Sequence, residues 1–291
     1  MKNIQIKNIA LTAGSEYMRW LGNPKILLLA VVVLPMRDVV IMPMLEAAEK
    51  MDSPVNLLEP CIAVANSWLG LLLMALIYMI FMSSFPTMDG NMLFYMARMG
   101  RKNWILGEML FQVLAVVTFN SIIIAASMGQ AAKDTFLANG WSLAVTDYDG
   151  LYGAVGGFKM AEIIPPNLYF QMSPVMAFLL SYALLSLFLL LCGFIFLAGC
   201  LYQKRLLLFL LQVLHITVGC GLILIRSQGM WLFPVSHSML ACHYRKYFRE
   251  YMFDPWWSLA LFILAVLLLM SIMYRKAGNV SLDMIGGDVL P

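Results

Sequence analysis

Arg98, Arg101 and Lys102 crowd beside Trp104 in the stretch FYMARMGRKNWILGEMLF, residues 94–111, of a 291-residue chain in which charged side chains make up only 12%. Such a cluster can anchor a helix at a membrane interface or dock into a partner protein. Few other residues could do chemistry. His237 and His243, in PVSHSMLACHYRKYF, flank Cys242; six apart on a helix they point in different directions, and no carboxylate is spaced to complete a metal site, so they are read as structural. Gln212 and His215, in LLQVLHITVGCG, either line a polar path or bond a neighbouring helix. Arg37 and Asp38, in VVLPMRDVVIMP, interrupt an apolar run where ionisable groups are costly. Contact with a transported substrate and snorkelling at the outer end of a span both remain open for this pair.

Catalytic signatures are missing from the sequence. It contains no GxxxxGK[ST] phosphate loop, no HExxH zinc helix and no GxSxG elbow, so any ATP hydrolysis is expected in another chain. The five cysteines form no CxxC pair. Cys192, Cys200 and Cys220 are expected to behave as small hydrophobes, and Cys61 and Cys242, which could meet on an outer face, are read as free thiols.

What must position these residues is mostly apolar. Hydrophobic residues make up 62% of the chain, whereas soluble domains carry about 25% charged residues. The chain therefore reads as an all-α polytopic membrane protein. A span needs roughly 20 apolar residues, and six runs qualify, at about residues 26–45, 67–85, 109–127, 174–198, 206–225 and 256–274. The fourth and fifth are parted only by YQKR, and a single helix through both would be about twice the bilayer thickness; a tight hairpin turning at Lys204 and Arg205 is expected. No cleavable signal peptide is expected before the first span. Six spans put both termini on one side, and placing them in the cytoplasm puts eleven of the nineteen Lys and Arg inside, as the positive-inside bias requires.

Residues 1–25 are expected to form an interfacial helix with Ile6, Ile9, Ala10, Ala13, Tyr17 and Trp20 on one stripe. Residues 128–173 read as an outer, loop-rich segment with at most short helices, and 275–291 as a cytoplasmic tail. The formal net charge of +3 is spread along membrane edges, which gives no nucleic-acid footprint. Between the second and third spans, Pro86 closes one helix and Asp89 is a good N-cap for the next. Leu93, Met96, Ala97, Gly100 and Trp104 recur at helical spacing. Arg98, Arg101 and Lys102 fall on a neighbouring face, the helix is cut at Gly100, and Gly107 opens the third span.

The sequence FPTMDGNMLFYMARMGRKNWILGEMLF, Phe85 to Phe111, resembles the cytoplasmic coupling helix of bacterial type-2 ATP-binding-cassette exporter permeases, with their R-x-x-R/K-x-x-W-x-x-G pattern standing here as Arg98, Arg101, Trp104 and Gly107. The chain plan is similar too, and LFPVSHSML resembles an element those permeases carry before the final span. The outer segment is longer than the family's usual hairpin. The resemblance implies a permease subunit in the cell membrane that is no enzyme itself and holds no cofactor. Its partners would be a second permease chain, as homo- or heterodimer, membrane lipid, and a nucleotide-binding ATPase subunit that carries the ATP and Mg and docks on residues 86–107. A non-transporting anchor or sensor subunit and a secondary transporter are the alternatives.

Overall fold

Helix boundaries in this chain are set by prolines and short polar caps inside long apolar runs. The structure is a computed structural model that describes residues 4–86, 96, 98–153, 158–244 and 252–278. Helix α1 spans Ile6–Leu21. The first long helix, α2, covers Pro24–Lys50; Asn23 caps it by accepting the Lys25 amide. Inside α2, Arg37–Ile41 form a π-helical turn, closed by the Met42 amide on the Arg37 carbonyl. Pro43 cannot donate a helical bond and its ring crowds the carbonyl of Val39, so the helix widens just before it. The widening leaves Arg37, Asp38 and Val39 exposed in succession.

The second span is bent. Helices α3 (Glu59–Ala65) and α4 (Trp68–Met82) meet at 74°. Ser67 caps α4 through the Gly70 amide at 3.3 Å. The bend needs glycine at 70, because a Cβ there would stand 2.5 Å from the Val64 carbonyl oxygen. Helix α5 (Arg101–Ala131) has 31 residues, about 46 Å of helix against a hydrocarbon core of about 30 Å. It begins at Arg101 rather than at 109, so its first turns stand beyond the level where α4 ends.

After α5 come four short helices: α6 (Leu143–Thr146), α7 (Tyr148–Tyr152), α8 (Met160–Ile163) and α9 (Pro166–Tyr169). This matches the expected loop-rich segment, yet it is tied down. Strand β1 (Val55–Asn56) pairs in parallel with β2 (Thr135–Phe136). The buried Glu59 carboxylate accepts the Asn56 amide at 3.0 Å and the Ser142 amide and hydroxyl at 2.7 Å each. Asp149 accepts the amides of Met160 and Ala161 at 2.7 and 2.8 Å, at the start of α8.

Helix α10 (Pro174–Leu201) is the most buried of the long helices and forms the centre of the bundle. Around it pack α4, α5, α11 (Arg205–Leu224) and α13 (Pro255–Ala277), and the short α12 (Pro234–Ser238) folds back between α10 and α11. The interior is filled by Tyr78, Phe81, Phe85, Phe111, Phe119, Phe188, Phe194 and Phe262. Among the described residues, five helices are long and apolar enough to cross a membrane, six if the bent α3–α4 pair is one span. The protein is thus a polytopic membrane protein of the all-α class.

The expected hairpin between α10 and α11 is present, and its turn is a Schellman motif. Gln203 sits at φ 56°, the Lys204 amide reaches the Gly199 carbonyl at 2.8 Å, and the Gln203 amide reaches that of Cys200 at 3.2 Å. Asp52 (φ 48°) and Arg226 (φ 52°) end α2 and α11 in the same way. A left-handed conformation costs a Cβ-bearing residue about 1–2 kcal/mol, offset in part by the larger entropy a glycine loses on folding. Gln203→Gly and Arg226→Gly should therefore each raise stability by about 0.5–1 kcal/mol in detergent unfolding, and Asp52→Gly by less, since Asp tolerates this region. A loss of stability for Gln203→Gly would mean that its side chain, not the turn, holds the hairpin.

Candidate functional site

The two ends of the segment between α4 and α5 are where cations gather. Residues 87–95 and 97, including Asp89, Leu93 and Ala97, lie outside the described residues, so the expected coupling helix is described only at its borders. At its leading border, the Lys25 ammonium donates to the Ile80 carbonyl at 3.2 Å and to the hydroxyls of Ser83 and Ser84 at 3.0 and 2.6 Å. Arg205, the first residue of α11, donates to the Ser83 carbonyl and lies over the Phe196 ring at 5.0 Å. Positive charge at the carbonyl end of a helix is favourable. The C-terminus of α4 is thereby fastened to the starts of α2 and α11.

At the trailing border, Gly100 takes φ 91°, which a side chain would resist, and α5 starts at once. Arg101 donates to the Gly278 carbonyl at 3.4 Å, and the Lys102 ammonium stands 4.7 Å above the Tyr274 ring. Both contacts reach the last turns of α13. Arg98 is exposed.

Trp104, expected to anchor at the interface or dock into a partner, is instead buried within the chain. It is 2% exposed, covered because α1 runs alongside the first turns of α5. Gln5 donates its amide to Asn103 Oδ1 at 3.2 Å, and the Tyr17 and Thr118 hydroxyls meet at 2.7 Å. Gly107 permits the contact: a Cβ there would come 2.5 Å from Thr12 Cβ. The buried face of α1 is Thr12, Ala13, Glu16 and Trp20, whereas Ile6 and Ala10 of the expected stripe are exposed. One turn after Trp104 lies Glu108, 1% exposed, whose carboxylate is acted on by Glu16 and Arg19 of α1. Sequence reasoning passed over Glu108 because it stood just before the expected third span; its spacing of four from both Trp104 and Gln112 was the available signal.

The residues expected along a path do not converge. Gln212 is buried and donates to the Cys192 carbonyl at 3.0 Å, so it bonds a neighbouring helix. His215 packs on Phe233, ring centroids 4.6 Å apart. Arg37 and Asp38 lie on the exposed side of α2, midway along it and not at an end. Between α3, α5 and α10 is a cleft lined by Asn120, Ser127, Ser181 and Tyr182, with a volume of about 20 Å³, room for about one water. All five cysteines are free, Cys61 and Cys242 among them.

One expectation is overturned. His237 and His243 do not point apart: both rings close on the Ser258 hydroxyl, at 2.7 and 2.8 Å. A turn of α12, an extended Met239 and a short 3₁₀ turn separate the two, so continuous helical geometry does not apply. Comparison of the chain with protein-family models, curated proteins and solved structures gives no match.

The geometry separates the cluster's members by their energetic role. Trp104→Ala should cost about 3–5 kcal/mol as a buried aromatic truncation, while Arg101→Ala should cost less than about 1 kcal/mol as an exposed contact. Chemical unfolding of the two variants in detergent checks this. Equal, small shifts would place the Trp104 indole on the surface.

Proposed function

We propose that this chain is the membrane-spanning permease subunit of an ATP-binding-cassette exporter in the bacterial cytoplasmic membrane. A separate nucleotide-binding subunit, which carries the ATP and Mg, docks on residues 86–107. The observation that supports this best is the fastening of both borders of that segment to different helices. One border is tied by Lys25 and Arg205 to α2 and α11, the other by Arg101 and Lys102 to α13. A push on the segment reaches three membrane helices at once. That is the requirement for converting closure of a partner into a change of exposure of the bundle, a shift between two states of a packed structure.

Within this reading the exposed Arg98 and the half-buried Arg101 face the partner, and Trp104 works from behind by holding the foot of α5 rigid. Arg37 and Asp38, on the exposed side of α2, fit a path formed between this chain and a second permease chain. The described cleft within the single chain is too small for a solute larger than water.

Arg98→Glu and Arg101→Glu, at membrane levels matched to wild type, should each lower recovery of a phosphate-loop ATPase subunit co-purified from the native membrane. A hot-spot loss of about 2 kcal/mol corresponds to roughly thirty-fold in affinity. Lys133→Glu, after α5 at the other end of the bundle, is the control. Unchanged recovery in both variants, or no such subunit in the wild-type preparation, would reduce the cluster to an interfacial anchor and favour the anchor or sensor reading.

Orientation is tested separately. With both termini in the cytoplasm, a cysteine placed at Asn139 should react with an impermeant reagent in intact cells, and one at Lys204 should react only after lysis. Both positions are exposed. The reverse pattern would invert the topology and remove the segment from reach of a cytoplasmic ATPase.

A further inference from the structure

After α11 the chain turns at Arg226 and folds back along it. A Cβ at Gly219 would stand 3.0 Å from Phe233 Cβ and overlap Val235, so the returning segment packs at backbone distance. It carries His237 on α12 and His243 on the following 3₁₀ turn, Leu240–His243. His243 and Ser258 are 0% exposed and His237 5%. Trp231 walls the cluster, its ring centroid 5.2 Å from that of His237 and 5.3 Å from that of His243.

Counting hydrogens gives an unusual result. His237 Nε2 faces the Trp231 carbonyl at 3.0 Å, and His243 Nδ1 faces the Met239 carbonyl at 3.1 Å. A carbonyl oxygen only accepts, so each of these nitrogens carries its hydrogen. A neutral imidazole has no second one, which leaves His237 Nδ1 and His243 Nε2 bare. Both approach the single hydroxyl of Ser258, at 2.7 and 2.8 Å. One hydroxyl hydrogen satisfies one nitrogen, and the other contact then sets lone pair against lone pair. Both contacts become hydrogen bonds when one ring takes an extra proton: the imidazolium donates to Ser258 Oγ, and the hydroxyl donates to the other ring.

We propose that His237, Ser258 and His243 form one proton-binding site that latches the returning segment, residues 227–244, onto the head of α13 while it holds a proton. The proton belongs to the pair, and the site titrates as a unit. Asp254, the cap of α13, favours the positive charge on His243. From the α11 side, His215 packs at a tilt against Phe233, while Cys220 and Arg226 act on Cys242; the α10 face packed on the segment contributes no charge to either ring. Burial works against the charge and lowers both imidazoles, His243 to about 4, with the two carbonyls opposing. The shared hydroxyl adds the hydrogen bond that tips the first proton the other way.

The sign of the pH dependence separates the two cases. A first proton held above the ordinary imidazole value of about 6.5 stabilises the fold below that pH, and the gain is lost as pH rises through the pair's own value. Two imidazoles titrating separately below 6.5 would give the reverse, stability lost on acidification. The latch lies at the end of the bundle away from Ser83 and Arg101, and its assignment does not rest on the permease reading. Under the orientation proposed above it would respond to external pH.

The chain has three histidines, so ¹⁵N-histidine labelling of the full protein in lipid nanodiscs yields three resolvable rings, with His215→Gln identifying the third. At about pH 7 the latch pair should show one shared imidazolium. Ser258→Ala should convert both rings to neutral tautomers, and Ser258→Thr, which keeps the hydroxyl, should restore the wild-type pattern. The wild-type thermal midpoint should rise as pH falls from about 8 to about 6, and this rise should vanish in Ser258→Ala. Neutral latch rings in the wild type at about pH 7, or a midpoint that falls on acidification, would overturn the proposal, and both readings come from the wild-type protein whether or not the alanine variant folds.

Discussion

Asn66 holds the far half of the bundle together. A helix broken at 74° inside an apolar run leaves backbone groups that hydrocarbon cannot satisfy. The Asn66 amide donates to the Ile62 carbonyl and to the Ser181 hydroxyl, each at 2.9 Å, and its oxygen accepts the Ala241 amide at 2.8 Å. One buried side chain thus ties the bent span to the central helix α10 and to the returning segment. Asn167 extends the pattern by donating to the carbonyls of Ala241 and Tyr244 at 3.1 and 2.9 Å. These are neutral, buried bonds, which salt and solvent do not screen.

The opposite end is held differently. Lys25, Arg205, Arg101 and Lys102 act there through long, half-buried side chains on carbonyls and rings, and Lys276 adds a contact 5.0 Å from the Tyr202 ring. Each such contact is worth little alone and exchanges readily with solvent or with a partner. The bundle therefore has an end fixed by buried amides and an end fastened by adjustable cations. The docking proposed on residues 86–107 would call for that asymmetry, an end that can yield and an end that keeps its packing.

Much of this plan is written in local sequence. The apolar runs give the spans, YQKR gives the hairpin by length alone, and Ser67 marks the start of α4. The pieces that escape depend on partners distant in sequence. Gly70 looks like any helical glycine until Val64 comes against it. Thr12 and Glu16 lie outside the apolar stripe read for α1, and the close approach of Gly107 puts them inside together with Trp104. Arg37 and Asp38 look terminal because the apolar run fades after Ile41, yet the helix continues to Lys50, past the two prolines. The histidine pair needs Ser258, which no spacing rule connects to positions 237 and 243.

Helix α5 joins the two ends. Trp104, Glu108 and Gln112 lie four residues apart and face inward as one ridge. At its foot the ridge meets α1. Higher up, Gln112 accepts from the Tyr78 hydroxyl at 3.1 Å, and Asn120 donates to the Ser186 hydroxyl at 2.8 Å. Gly193 of α10 has no room for a Cβ, which would strike Gln112 and Tyr78. A displacement at Arg101 or Lys102 therefore meets a row of bonded, close-packed side chains rather than a greasy slip plane, and interiors packed in this way pass strain on instead of absorbing it. The buried carboxylate of Glu108, an expensive group to keep there, makes sense as a member of that row: set between the buried Trp104 and Gln112 and acted on by Glu16 and Arg19 of α1, it ties α1 to the foot of the helix on which the adjustable cations stand.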